Sequence, residues 1–263
     1  MNFFDSHAHY YDERFCEYEQ SADTLIGALL KNDVSAIINV GTSPKTSKLA
    51  IAQAQRFSNM YTAIGIHPSD AQYLDKPLDE SLSEIEALIK DPASKCVALG
   101  EIGLDYHYDD TDKELQMAYF EEQMRLAEKL KLPVSIHDRE AHGDIMNVIR
   151  SHGGVVGVLH SFSGSVEMAE ELCEMGYMIS FSGTVTFTNA RRPREVAGAI
   201  PLDKILIETD CPYLAPHPLR GTLNHSGNLK YTNAAIAAVL GISEEECARA
   251  TDENARKFFN IAE

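Results

Sequence analysis

Residues 133–160, PVSIHDREAHGDIMNVIRSHGGVVGVLH, carry the pattern that decides the fold. A short apolar run at 133–136 stops at His137. A segment with helical spacing follows at 141–151, and a second apolar run at 155–159 stops at His160. Neither run alternates apolar with polar, which is how strands buried on both faces of a parallel sheet read. The unit is strand, helix, strand, with a histidine where each strand ends.

The same alternation extends in both directions. It predicts strands at 2–6, 34–40, 61–66, 96–100, 177–181 and 204–209 in addition to these two. Helical spacing is found at 22–31, 44–57, 79–90, 111–130, 165–175 and 191–199, and two more helices are expected at 231–240 and 243–258. In the last, Ser243 with Glu246 reads as a capping box. In 165–175, Val166, Ala169, Leu172 and Cys173 fall on one helical face, and Gly176 follows as a C-terminal cap. Eight strands alternating with helices over 263 residues predict a single (β/α)8 TIM barrel spanning 1–263. No Pro/Gly/Ser-rich linker divides the chain. The competing architecture, a doubly wound sheet, lacks its usual phosphate fingerprint. GTSPKTS at 41–47 is neither GxGxxG nor a P-loop.

Composition narrows the function. Lys and Arg number 23 against 40 Asp and Glu, a formal charge of −17. That excludes DNA binding through a broad basic surface, and leaves open a protein that reaches phosphate through bound cations. Five cysteines form no CxxC pair, and the N-terminal MNFFDSHAHYYDERF shows neither a basic n-region nor an apolar h-region. A cytoplasmic protein with no membrane span and no obligate protein partner is expected.

In a barrel the chemistry sits at the C-terminal ends of the strands. Strand 1 runs into His7-Ala8-His9, strand 3 into His67, strand 4 into Glu101, strand 5 into His137, strand 6 into His160 and strand 8 into Asp210. A lone histidine at a strand end is more often a hydrogen-bonded structural residue, and Asp210 alone reads as a helix cap. Together, on one face of one barrel, they read as a site. His7 and His9 are two apart, so an extended chain points both to one side. His7, His9, Glu101, His137, His160 and Asp210 are too many ligands for one tetrahedral ion and suit two metals sharing a bridging carboxylate. Imidazole with carboxylate suits Zn, Mn, Fe, Co or Ni, and Mg less well. His107, His142, His152, His217 and His225 end no strand and are expected on loops or the surface.

The motifs DSHAH (5–9), GIHP (65–68), GEIGLDY (100–106), IHDR (136–139), HSFSG (160–164) and ETDCPYL (208–214) together resemble the TatD family of metal-dependent deoxyribonucleases. The resemblance runs over essentially the whole chain. It implies a TIM barrel and two divalent cations held by His7, His9, Glu101, His137, His160 and Asp210, with Glu101 bridging. It also implies metal-dependent hydrolysis of phosphodiester bonds in DNA. Two segments depart from the family pattern. Asn224 is followed by HSGNLKY rather than Pro and Tyr, and TVTFTNA carries Thr188 where the family often has Lys.

The chemistry assigns further expectations. Asp210 is the expected acceptor of the proton of the attacking water, which makes Asp210 and Glu101 the catalytic carboxylates. Arg139, two residues past His137, is expected to face the phosphoryl oxygens, with His67 beside it. Asp5, two before His7, is expected to orient a ligand from behind. Arg191, Arg192 and Arg194 form the densest basic cluster, and with Arg220 they are expected to meet flanking phosphates of a weakly held, metal-dependent DNA substrate. Single-stranded DNA attacked from an end is the expected substrate. The competing activity is hydrolysis of a carboxylic ester, amide or lactone, including deacylation of aminoacyl-tRNA. A catalytically silent scaffold would not need the six-residue set.

Overall fold

The computed structural model describes residues 1–16 and 21–262. Eight strands form one parallel sheet in chain order: β1 (Phe3–Ala8), β2 (Val34–Val40), β3 (Met60–Ile64), β4 (Cys96–Asp105), β5 (Val134–Arg139), β6 (Gly157–Leu159), β7 (Met178–Phe181) and β8 (Ile205–Ile207). Parallel neighbours need a crossover, and helices supply it. These are α1 (Ala22–Asn32), α2 (Pro44–Ala54), the single turn α3 (Pro68–Ala71), α4 (Leu78–Lys90), α5 (Lys113–Leu130), α6 (His142–Ser151), α7 (Val166–Glu174), α8 (Arg191–Ala199), α9 (Leu229–Leu240) and α10 (Glu244–Phe258). The sheet curls into a barrel that closes at one end of the β8–β1 seam. There Ala8 and Cys211 bridge, the Asp210 amide donates to the His7 carbonyl at 2.9 Å and the His9 amide donates to the Cys211 carbonyl at 2.7 Å.

Local chemistry sets the helix starts. Ser43 and Thr46 form a reciprocal capping box ahead of α2, with Pro44 in the first turn. Ser243 accepts from the Glu246 amide at the start of α10, which is the forward half of the expected box. Gly176 takes a left-handed φ of 92° just past α7.

Two apolar layers hold the barrel. Outward-facing strand residues such as Ile64, Leu99, Ile136 and Ile207 pack with Phe120, Met124, Ile145 and Leu172 of the helices. Phe4, Ile38, Ala63, Ala98, Val158, Met178 and Leu206 form a second cluster with Ala255, Phe259 and Ile261, so the end of α10 closes the barrel at the strand starts. The open end is therefore the end where the strands finish.

Several strand ends differ from those read in the sequence, and the polar residues are the reason. β1 continues through Ala8, β4 through Asp105 and β5 through Arg139, because backbone pairing does not stop where apolarity stops. Glu101 and His137 thus lie within strands rather than at their ends. β8 ends early, at Ile207, and Asp210 turns out of the ladder with a φ of 56°, a conformation aspartate tolerates. Among the described residues no helix is long and apolar enough to cross a membrane.

Candidate metal centre

The C-terminal halves of the strands and the turns that follow them place seven side chains around the barrel axis. Glu101, 3% exposed, stands in the middle. Its position needs close strand approach. A Cβ at Gly65 would lie 2.8 Å from the Gly100 carbonyl carbon, and one at Gly100 would lie 2.7 Å from Ser135 Cβ. Glycine at both positions lets β3, β4 and β5 draw together.

The two oxygens of Glu101 face different partners. Oε2 lies 3.4 Å from His7 Nε2 and 3.6 Å from His9 Nε2. Oε1 lies 3.0 Å from His137 Nδ1, 2.8 Å from His160 Nε2 and 3.4 Å from His67 Nε2. Asp210 Oδ1 joins the first set, 3.4 Å from His9 Nε2 and 3.8 Å from His7 Nε2. Within the sets, His7 Nε2 meets His9 Nε2 at 3.1 Å, and His137 Nδ1 meets His160 Nε2 at 3.2 Å. Three triads bring their donor atoms within 4.8 Å of one another: His7–His160–Asp210, His7–His9–Glu101 and His67–Glu101–His137.

The outer ring nitrogens explain what the inner ones offer. His9 Nδ1 faces the Val40 carbonyl at 2.7 Å, His160 Nδ1 faces Glu208 Oε1 at 3.3 Å and His137 Nε2 faces Asp105 Oδ2 at 3.2 Å. These partners only accept, so the outer nitrogens donate and the inner ones hold lone pairs. His7 Nδ1 meets the Ser135 hydroxyl at 3.3 Å. Lone pairs facing one another and carboxylate oxygens at 3 to 4 Å repel unless a proton or a cation lies among them. The donor set therefore fits divalent metal, with imidazole and carboxylate in the proportions such ions take.

Charge follows the same geometry. Burial pushes the Glu101 carboxyl up, but the imidazoles of His67, His160, His7 and His137 overcome it and hold the group well below the usual carboxylate range. Burial works against charge on His160, yet Glu101 and Glu208 keep its ring protonated well above the ordinary imidazole range. Burial likewise opposes charge on His137, and Asp105 and Glu101 raise it. Asp210 is pushed up by burial and brought down further by His9, His160 and His7, so it stays ionised. Protons occupy in these directions the place a cation would take.

The centre opens into a cleft of about 880 Å³ whose walls include His9, His67, Glu101, His137, His160 and Asp210 together with Tyr108, Arg139 and Tyr213. Arg139 reaches Tyr108 Oη at 3.3 Å and approaches Asp105 at 4.0 Å. The other expected arginines stand outside the lining. Arg191, in the first turn of α8, is largely exposed and pairs with Glu195 at 2.7 Å, and Arg192 is its neighbour in that turn. Arg220 lies over the Phe187 ring, 4.4 Å from its centroid. Arg194 donates to the carbonyls of Val185 and Phe187 and so braces the segment after β7.

Asp5 does not orient a histidine ring. Its carboxylate accepts from the Thr209 amide at 3.0 Å, the Thr209 hydroxyl at 2.6 Å and the Ser226 hydroxyl at 2.6 Å, which pins β8 to β1. β1 pairs irregularly with β2 between Asp5 and Ala8, so the two-residue period fails there. Asn224 is also structural. It is fully buried and its amide donates to the carbonyls of Thr209 and Tyr213, on either side of Asp210. Asp105 and Glu208 were not singled out from the sequence. Asp105 shares a strand face with Glu101 at a spacing of four, and Glu208 precedes Asp210 by two, which are the signals that would have found them.

Comparison with known proteins bears on the family. The profile of the family described as TatD related DNase matches residues 4–260. A Bacillus subtilis protein named uncharacterized metal-dependent hydrolase YabD is 40% identical over 260 residues, covering 98% of this chain and 99% of its own. The Escherichia coli metal-dependent hydrolase YcfH is 33% identical over 261 residues, with 98% and 95% covered. The crystal structure of YjjV, a TatD homologue from Escherichia coli, superposes with a TM-score of 0.88 at 29% identity, covering 99% of this chain and 98% of that one. The chain belongs to the TatD family.

Proposed function

We propose that this chain is a metal-dependent phosphodiesterase that hydrolyses DNA, acting on single strands from an end with two divalent cations. The observation that carries the reading is the division of Glu101, one oxygen toward His7 and His9 and the other toward His137 and His160. One cation would be held by His7, His9, Glu101 and Asp210, and the other by Glu101, His137 and His160. Mg, Mn, Zn, Co and Ni are the candidate ions. When bound, the ions supply Lewis acidity at the phosphoryl oxygens and acidify water.

The chain's own residues do the rest. Asp210 is ionised and partly open to the cleft, so it accepts the proton of the attacking water. Arg139 sits in the cleft wall, where its guanidinium meets charge growing on the phosphoryl group. His67, in the same cleft wall, contacts the substrate beside the centre. Arg191, Arg192 and Arg220, outside the cleft lining, would meet flanking phosphates of a longer strand. With a formal charge of −17 the long-range field repels a polyanion, so binding is local and the salt slope shallow, about 0.7 log units per contact for a single strand.

A second reading, hydrolysis of a carboxylic ester, amide or lactone, including an aminoacyl-tRNA ester, is favoured by one observation. Among the described residues Arg139 is the only lysine or arginine in the cleft wall. Turnover of single-stranded DNA and of small carboxylic esters, measured with chelator and with each metal added back, separates the two. Loss of DNA cleavage under chelation and its return with metal support the first. Ester turnover without any phosphodiester turnover supports the second.

A further inference from the structure

His67 is grouped by distance with Glu101 and His137, as a third ligand on the Oε1 side of the bridge would be. Its hydrogen bonding sets it apart. His9, His137 and His160 are each anchored on the outer nitrogen by an acceptor: a carbonyl, Asp105 and Glu208. His67 is anchored by a donor. The Ser69 amide gives its proton to His67 Nδ1 at 3.1 Å, where His67 caps α3.

A backbone amide can only donate. Nδ1 therefore offers a lone pair, and the ring N–H lies at Nε2. A proton on Nδ1 would set two N–H groups head to head at 3.1 Å and leave the Ser69 amide, one of the orphan donors of the helix start, without a partner. Nε2 is the atom that points to the centre, 3.4 Å from Glu101 Oε1. It has no lone pair to give a cation.

We infer that His67 is no metal ligand and instead presents a fixed Nε2–H to a substrate oxygen beside the metal centre. The inference rests on the proposed reading of Glu101 and its histidines as the cation site. Once Glu101 Oε1 is engaged by a cation, the His67 N–H is left facing the cleft, whose wall it forms. An oxygen of a phosphate or a carbonyl that turns negative during hydrolysis is the partner it fits, since a preoriented N–H donor strengthens as that charge grows.

Two substitutions separate the ring's two nitrogens. His67→Asn keeps an oxygen near the Nδ1 position to accept from Ser69 and removes the Nε2 donor. His67→Gln keeps an N–H near the Nε2 position and gives up the cap. The wild-type protein, labelled with 15N-histidine and loaded with zinc, is read by NMR for the His67 tautomer. Metal content after desalting is measured for wild type, His67→Asn and His137→Asn, and kcat and KM on a small phosphodiester for wild type and both His67 variants. The expected results are an Nε2–H tautomer, metal content in His67→Asn equal to wild type while His137→Asn loses metal, a fall in kcat of about 100-fold in His67→Asn, and recovery of at least part of that fall in His67→Gln. A zinc-coordinated Nε2, metal loss in His67→Asn matching that in His137→Asn, or wild-type kcat in His67→Asn overturns the inference. If the wild-type protein turns over no phosphodiester, the functional reading fails while the tautomer and metal-content measurements still decide the assignment of His67.

Discussion

Replacing Glu208 by glutamine tests whether the anchors behind the histidines matter. Glu208 is fully buried on the β8 side and no metal donor atom is its own. Its Oε1 accepts from His160 Nδ1 at 3.3 Å and from the Ser161 amide at 2.8 Å, and its Oε2 has no partner among the described residues. Glutamine keeps the shape and one acceptor but loses the charge. A hydrogen bond to a charged acceptor contributes about 1.5–3 kcal/mol against about 0.5–1.5 kcal/mol for a neutral one, so about 1 kcal/mol or more is lost from the fixing of the His160 ring. Partners of this kind typically set 10- to 100-fold in metal affinity, which is about 1.4–2.7 kcal/mol. The expected outcome for Glu208→Gln is therefore one class of cation bound about 10- to 100-fold more weakly, with the other class less affected. The division arises because the His160 Nε2 lies closest to Glu101 Oε1, at 2.8 Å, the oxygen it shares with His137, although it also neighbours His7 and Asp210. Competition titration against a chromophoric chelator measures both classes, and circular dichroism checks the fold. Unchanged affinity for both classes in a folded variant would refute the claim that Glu208 sets the His160 lone pair.

Three further outcomes follow from the geometry. Asp210→Asn abolishes turnover without unfolding the protein, since Asp210 is held ionised at the centre by His9, His160 and His7 against the opposing effect of burial; near-normal turnover removes it as proton acceptor. His142, at the start of α6, is raised above its ordinary value by its hydrogen bond to Asp138 at 2.7 Å, partly opposed by burial and by Arg192. A raised folded-state histidine stabilises fully below the unfolded value, about 6.5, and the contribution fades as pH rises through the folded value. His142→Gln should therefore lower Tm at pH 5.5 and leave it near wild type at pH 9, as differential scanning fluorimetry reads; a constant offset at both pH values contradicts the ion pair. Double replacement of Arg191 and Arg192 by alanine should raise KM for single-stranded DNA and hardly change turnover of a small phosphodiester; equal losses on both place these arginines outside phosphate binding.

The order of the eight strands and the seven residues around the axis were legible because burial and barrel geometry impose them on composition. Continuous apolar runs mark strands buried on both faces, and histidines and carboxylates closing most of those runs on one face of one barrel have few reasons to be there together other than the site. What stayed hidden depends on contacts between distant residues. β4 continues past Glu101 because its backbone goes on pairing with β5 through Asp105, which apolarity does not report. Asp5 was placed behind His7 by a two-residue period that the irregular β1–β2 pairing breaks. Glu208 and Asp105 carry spacing signals to the site, but their roles as anchors emerge only from their contacts with His160 and His137. The role of His67 turns on a proton position fixed by the Ser69 amide, which no spacing encodes. Arg194 belonged by sequence to a basic cluster, and its guanidinium instead satisfies two backbone carbonyls.

The central claim is that Glu101 joins two cation sites, because its two oxygens face two separate histidine sets. Elemental analysis of protein purified without chelator, followed by titration of the stripped protein with Mn or Zn, measures the stoichiometry directly. The account predicts two divalent cations per chain in the wild type, with Glu101→Ala losing tight binding at both positions while remaining folded. Saturation of the wild type at one cation per chain, or full retention of two in Glu101→Ala, would contradict it.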